Sequence, residues 1–243
     1  FPRYSWRNTL PQLSLHYIRD HHRANAELAR LPRGPLGFDL EWRPNYRKGQ
    51  SENPVALVQL ANADTILLLH ITAMAEFPKT LKDLLESVEW PKAGVNIKYD
   101  CMKLYNDRGV SVRNCVELSY LARTVDNARW KGRYADLISL ARLVEAYENQ
   151  SLPKGRIQRS DWQSPLNRSQ QHYAANDAHA GYTLHSRLHH MAQAMNPVPH
   201  RTYYAFSIVN GIWSDYTGLS PWIPHNPFYD PGPLPPPRET KHP

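Results

Sequence analysis

The sequence predicts an α/β domain, a mixed five-stranded sheet flanked by helices, followed by an extension rich in proline and aromatic residues. Three observations lead there. Apolar runs with strand character follow one another near residues 36 to 42, 55 to 61 and 65 to 70. Two more, near 92 to 97 and 111 to 116, alternate with helical patterns, and succession followed by alternation marks a mixed sheet covered by helices. From about residue 196 the composition changes: 11 of the 21 prolines fall at or after Pro197, interleaved with aromatic residues such as Tyr203, Phe206, Trp213, Trp222 and Tyr229.

Residues 13 to 31 carry a helical spacing of Leu15, Ile18, Ala24, Leu28 and Leu31 among charges, and the LPRGP run stops it, so residues 1–33 read as a helical lead-in. A domain over 34–195 follows. Its first strand, LGFDLEW, alternates Leu36, Phe38 and Leu40 with Gly37, Asp39 and Glu41. Between Glu41 and Val55 the polar, basic loop RPNYRKGQSENP leaves that strand as a rim. Helices are expected near 78 to 88, 100 to 108, 117 to 127, 134 to 148 and 168 to 192. Proline density makes the segment 196–243 extended, while its aromatics argue that it packs on the core, on a partner protein or on a second chain. Its PGPLPPPR run has the composition of a polyproline ligand.

Composition narrows the chemistry. A hydrophobic share of 41% over 243 residues supports a sizeable core in one domain with appendages. No apolar run has membrane-spanning length and no signal peptide is visible, so an intracellular protein is expected. The chain begins at Phe1 rather than Met, as a fragment of something longer would. Two cysteines, Cys101 and Cys115, are too few for a disulfide framework or a zinc site and read as reduced thiols. The two Asn-x-Ser matches, at Asn149 and Asn167, read as chance occurrences, and the pairs His21/His22 and His189/His190 as exposed helix positions. The formal charge of +7 suits a polyanionic partner, and basic residues gather near the acidic motifs: Arg43, Arg47 and Lys48 follow Glu41, while Lys98 and Lys103 flank Asp100.

Four acids and a phenol carry the chemical signal. Asp39 and Glu41 lie two apart on a strand and therefore share a face, where each raises the other's pKa unless a cation neutralises both. Asp100 follows the apolar run AGVNI at the point where a strand feeds a helix, the edge at which open α/β sheets place their sites. Tyr173 and Asp177 stand one turn apart on the last helix, whose Gly181, Leu184 and Leu188 continue into apolar territory. Hard oxygen donors without Cys or His favour Mg²⁺ or Mn²⁺ over zinc.

FDLEW, VALVQLAN, TILLLH, KAGVNIKYD, SDW and YAANDA, in this order between about Gly37 and Leu188, resemble the DEDD superfamily of 3′-to-5′ exonucleases, and are similar to its Werner-type and ribonuclease D-type members. The resemblance implies a ribonuclease H-like sheet, a nucleic acid with a free 3′ end as partner, and two divalent ions held by Asp39, Glu41, Asp100 and Asp177. Asp39 would bridge both ions, Glu41 and Asp177 would hold the one beside the attacking water, and Asp100 would serve the other. DEDD enzymes divide by whether a Tyr four residues before the last Asp, or a His five before it, orients the water. This chain has both, Tyr173 and His172. Four residues along a continuous helix return to within about 40° of the same direction and five overshoot by about 140°, which favours Tyr173 provided that the helix begins before His172.

Substrate contacts are expected at Leu40 and Met102 against the terminal base, and at Arg43, Lys103, Arg156 and Arg159 against backbone phosphates. Each has an ordinary alternative as core or surface charge. Trp162 reads as packing. A binding module that keeps the fold without catalysis is the rival from another class, and retention of all four carboxylates speaks against it. DNA and RNA trimming are not separable from these residues. By family resemblance the nucleus is favoured, with the mitochondrion left open.

Overall fold

The computed structural model describes residues 1–8, 12–45, 47, 49–153 and 155–233. Lys48, and the PGPLPPPR run from residue 234 onward, lie outside them.

Eight strands form one sheet. They are β1 (Ser14–Ile18), β2 (Leu36–Glu41), β3 (Leu57–Ala61), β4 (Thr65–Leu69), β5 (Lys92–Gly94), β6 (Cys115–Glu117), β7 (Ala205–Val209) and β8 (Ile212–Asp215), in the spatial order β1-β4-β3-β2-β5-β6-β7-β8. The pairs β1/β4, β2/β5 and β5/β6 are parallel and the others antiparallel. The mixed α/β class therefore stands as the sequence predicts, with a larger sheet than the five strands expected.

Two segments account for the difference. The stretch 13 to 31 is a strand and a helix: Leu15 and Tyr17 pack into one cluster, Ile18 into another, and Asp20 caps α1 (His21–Ala29) by accepting from Arg23 N at 2.8 Å. Spacings of three and four residues imitated a single helix, whereas the alternation of faces is that of a strand. The second segment is the Pro/aromatic-rich one. Ala205–Val209 pairs with β6, then returns as β8 through Asn210-Gly211, both at positive φ (50° and 74°). That two-residue turn fits the twist of a hairpin. Beyond it, Trp222 stacks on Phe206 at 5.1 Å, and the Tyr229 hydroxyl accepts from Arg123 Nη1 at 2.8 Å.

The remaining helices are α2 (Lys79–Glu86), α3 (Ile97–Arg108), α4 (Leu118–Val125), α5 (Leu140–Glu148) and α6 (Arg168–Gln193). Phe38, Leu40, Val58, Leu60, Leu67 and Leu69 form one face of the central sheet; Leu57, Ala61, Ile66 and Leu68 form the other, beneath the alanines of α6. Helix α6 crosses β2 closely because two glycines meet there. A Cβ on Gly37 would stand 1.9 Å from Ala178 O, and one on Gly181 would stand 3.1 Å from Ala93 O. Cys101 and Cys115 are buried free thiols whose Sγ atoms lie 3.4 Å apart, between α3 and β6. Asn167 is the N-cap of α6 and Asn149 the C-cap of α5.

Candidate active site

A cleft of about 550 Å³ opens where β2 and β5 end, lined among others by Asp39, Leu40, Glu41, Trp42, Asn96, Tyr99, Asp100, Arg159, Tyr173 and Asp177. All five residues singled out from the motifs converge there. Asp39, Glu41 and Asp177 each offer a carboxylate oxygen, and these oxygens all lie within 4.8 Å of one another. Strand alternation puts Asp39 and Glu41 on the face beneath α6, and the Gly37 contact brings Asp177 down to them. Asp100 is in the first turn of α3 rather than ahead of it. Strand β5 is shorter than predicted, and Asn96, at φ 58°, turns the chain into the helix three residues early.

Burial and mutual repulsion both act on these acids. Burial pushes Asp39 up to about 7. Burial, and then Asp39, Asp177 and Asp100, raise Glu41 well above the usual carboxylate range; burial, Asp39 and Glu117 do the same for Asp100. Opposite charge inside the cluster would reverse this. The donor set fits hard divalent cations: all oxygen, all anionic when ionised, and spaced to share an ion.

The start of α6 places Tyr173 and His172 differently. Asn167 and Gln170 form a capping box, so α6 is continuous from Arg168 and holds Tyr173 and Asp177 one turn apart. Tyr173 hydrogen-bonds Asp177, and burial, followed by Asp177, Glu41 and Asp39, raises its phenol far above its ordinary range. It stays a neutral donor. His172 points away from the carboxylates: its Nε2 lies 3.3 Å from Asn176 Nδ2 and its ring 6.5 Å from that of Trp6.

The expected substrate contacts separate. Leu40 and Arg159 line the cleft, although Leu40 is also a core residue at 4% exposure. Lys103 does not fit the phosphate role predicted for it: it is 7% exposed and its Nζ donates to both carboxylate oxygens of Asp107, at 2.8 and 3.0 Å. Met102 packs against the core cluster. Arg43 is exposed and close enough to Asp161 to lower its pKa, and Arg156 is exposed on the short 3-10 helix Arg156–Arg159. Neither lines the cleft. Trp162 is fully buried, as packing requires.

Two buried polar residues escaped the motifs. Glu117 accepts from Ile97 N and from Ser119 N, both at 3.1 Å, and so pins the starts of α3 and α4 together; burial pushes it up to about 7. Gln59 sits directly across the β2/β3 ladder from Asp39, fully buried, with neither amide atom hydrogen-bonded. Its place on the face beneath α6 could be deduced once strand pairing was known, and not before.

An acidic cleft at the carboxyl edge of a mixed α/β sheet defines the class. A family described as 3'-5' exonuclease matches residues 16–193, and the chain belongs to that family, within the DEDD superfamily. Among curated proteins, it is 38% identical over 156 residues to the bifunctional 3'-5' exonuclease/ATP-dependent helicase WRN of Mus musculus, covering 63% of this chain and 11% of that protein. It is 33% identical over 166 residues to a 3'-5' exonuclease of Arabidopsis thaliana, covering 66% of this chain and 54% of that one. The chain thus spans little more than half of one relative and about a tenth of the other. The fold is shared with the Aedes aegypti Nibbler EXO domain (TM-score 0.63, 21% identity, 78% of this chain and 93% of that one). It is shared also with Trypanosoma brucei RNase D in complex with RNA U12 (TM-score 0.62, 17% identity, 77% and 65%). No helix among the described residues is long and apolar enough to cross a membrane.

Proposed function

We propose that this chain hydrolyses the terminal phosphodiester at the 3′ end of a nucleic acid strand, releasing 5′-mononucleotides one at a time. The observation that carries the reading is the convergence of Asp39, Glu41 and Asp177 within 4.8 Å, with Asp100 facing Asp39 from α3 and Tyr173 bonded to Asp177. Two divalent ions, Mg²⁺ or Mn²⁺, would be held by the carboxylates of Asp39, Glu41, Asp100 and Asp177. When bound, such ions acidify water and neutralise charge on the attacking and leaving oxygens.

The chain's own groups do the rest. Tyr173, a donor throughout the working pH range, orients the attacking water by hydrogen bond instead of removing its proton. Arg159 faces the phosphate from the rim of the cleft, and Trp42 with Tyr99, ring centroids 5.9 Å apart, forms an aromatic wall on which bases stack. The chain's net positive charge draws a free strand toward the cleft. The Trypanosoma brucei RNase D of the same fold is in complex with RNA U12; DNA and RNA are both substrates to be tried here.

The test is digestion of 5′-labelled and 3′-labelled DNA and RNA strands with Mg²⁺, Mn²⁺ or chelator. Stepwise ladders from the 5′-labelled strand, lost with chelator, are expected. Internal cuts, or cleavage that resists chelation, would overturn the reading.

A further inference from the structure

A second cleft, about 700 Å³ in volume, adjoins the first and shares Leu152, Pro153, Tyr173 and Asp177 with it. One wall is the N-terminal segment, which is anchored rather than draped. Tyr4 N donates to Ser151 O and Ser151 N to Pro2 O, both at 2.8 Å, while Trp6 N donates to Asn176 Oδ1 at 3.0 Å. The Tyr4 hydroxyl meets His179 Nδ1 of α6 at 2.7 Å. The facing wall is the start of α6. Together the walls present Arg3, Arg7 and Arg168, all exposed, and among the described residues none of these three pairs with a carboxylate, whereas Arg33, Arg133 and Arg187 elsewhere on the surface do. Among the described residues, Asp177, at the junction, is the only acid lining this cleft.

We infer that the second cleft receives the 5′-phosphate of the nucleotide released by the reaction, an assignment that rests on the hydrolytic reading above. In an in-line displacement the water oxygen bonds to phosphorus opposite the departing 3′ oxygen. As the phosphorus–3′ oxygen bond breaks, the phosphoryl group inverts toward the side from which the water came; the water gives up a proton and the 3′ oxygen gains one. Tyr173, which orients that water, stands at the mouth of the second cleft, so the new phosphate emerges there.

Charge then separates product from substrate. A backbone diester carries one negative charge, while a monoester carries about −1.5 to −2 at pH 7. The extra charge is matched by three guanidinium groups, which bind phosphate in a fork geometry. Tyr4, Leu15 and Ile157 supply the apolar surface that a nucleoside needs.

The test compares the full chain with its Arg7→Ala/Arg168→Ala variant, after melting curves confirm that both fold. Deoxyadenosine 5′-monophosphate is titrated by calorimetry in chelator and as an inhibitor of strand cleavage. The double variant should lose about tenfold or more in mononucleotide affinity by both measures. Its affinity for a ten-nucleotide single strand in chelator, and the salt dependence of that affinity, should stay unchanged. Weaker strand binding with a flatter salt slope and an unaltered mononucleotide affinity would assign the cleft to the strand and overturn the inference. So would no change in either. A wild-type chain that releases no mononucleotides would instead overturn the hydrolytic reading, while the calorimetric comparison still reports on the cleft.

Discussion

Exchange of Asp39 for asparagine is expected to stabilise the metal-free protein increasingly as pH rises, while abolishing cleavage. The carboxyl moves from an ordinary 3.8 to about 7 because it is buried, and each pKa unit is worth about 1.36 kcal/mol, so holding it ionised in the fold costs about 4 kcal/mol. The sign follows from the raised value. The folded chain binds this proton more tightly than the unfolded chain, so the stabilising contribution is complete below about pH 4 and is lost as pH climbs through about 7. Asparagine keeps the shape and does not titrate. Between pH 5 and pH 8 the variant should gain about 2.5 kcal/mol on the wild type, before any relief of Glu41 and Asp100, which Asp39 also raises. Urea unfolding of both proteins in chelator at pH 5, 6.5 and 8 measures the gap. Taking the difference cancels His179 and His185, whose pKa values burial lowers to about 4 and which change stability in the opposite sense below about pH 6.5. A gap that does not change with pH would refute the electrostatic account of the cluster. Mn²⁺ at pH 8 should stabilise the wild type and leave the variant nearly unaffected.

Tyr173→Phe should lower kcat by about 10- to 100-fold and spare strand binding in chelator, whereas His172→Ala should cleave at the wild-type rate; single-turnover assays distinguish them, and the reverse order would sink the assignment of Tyr173. Gln59→Leu removes a buried amide whose two polar atoms have no partner, and the urea midpoint should rise by the equivalent of about 1 kcal/mol or more; a fall would show that the amide is held by something Asp39 brings with it. Gly37→Ala puts a Cβ 1.9 Å from Ala178 O and 2.6 Å from Tyr182 N, so α6 must lift off β2 at a cost of about 3 kcal/mol, checked by unfolding, and Mn²⁺ affinity should drop because α6 carries Asp177.

Local chemistry was legible and non-local pairing was not. Alternation in LGFDLEW fixed the shared face of Asp39 and Glu41, and the Asn167/Gln170 capping pattern was readable as the start of α6. Helical spacing hid β1, since Leu15, Ile18, Leu28 and Leu31 fit a three-to-four repeat whichever element carries them. The β7/β8 hairpin did announce itself, in an Asn210-Gly211 turn between apolar runs, but the proline and tryptophan density around it drew attention away. Lys103 could have been paired with Asp107 from their four-residue helical spacing. Gln59 and Glu117 gave no such sign, because what matters about each is a partner 20 residues away in sequence, Asp39 in one case and Ile97 in the other.

The outer strands bear on how this domain is to be handled. A fragment trimmed to 16–193, the stretch shared with its family, would begin inside β1 and end at the last residue of α6. It would lose β7, the antiparallel neighbour of β6, and shorten the strand that flanks β4. Both borders of the sheet would then offer bare N–H and C=O groups to any other chain, an invitation to aggregate. The arginine-bearing wall at residues 3–7 would go as well, so such a fragment would be both sticky and stripped of half its second cleft. Expression boundaries for this protein belong before Pro2 and after Gly232, because the Gly132 amide donates to Pro231 O at 2.8 Å and the Gly232 amide donates to Asp230 Oδ1 at 2.9 Å.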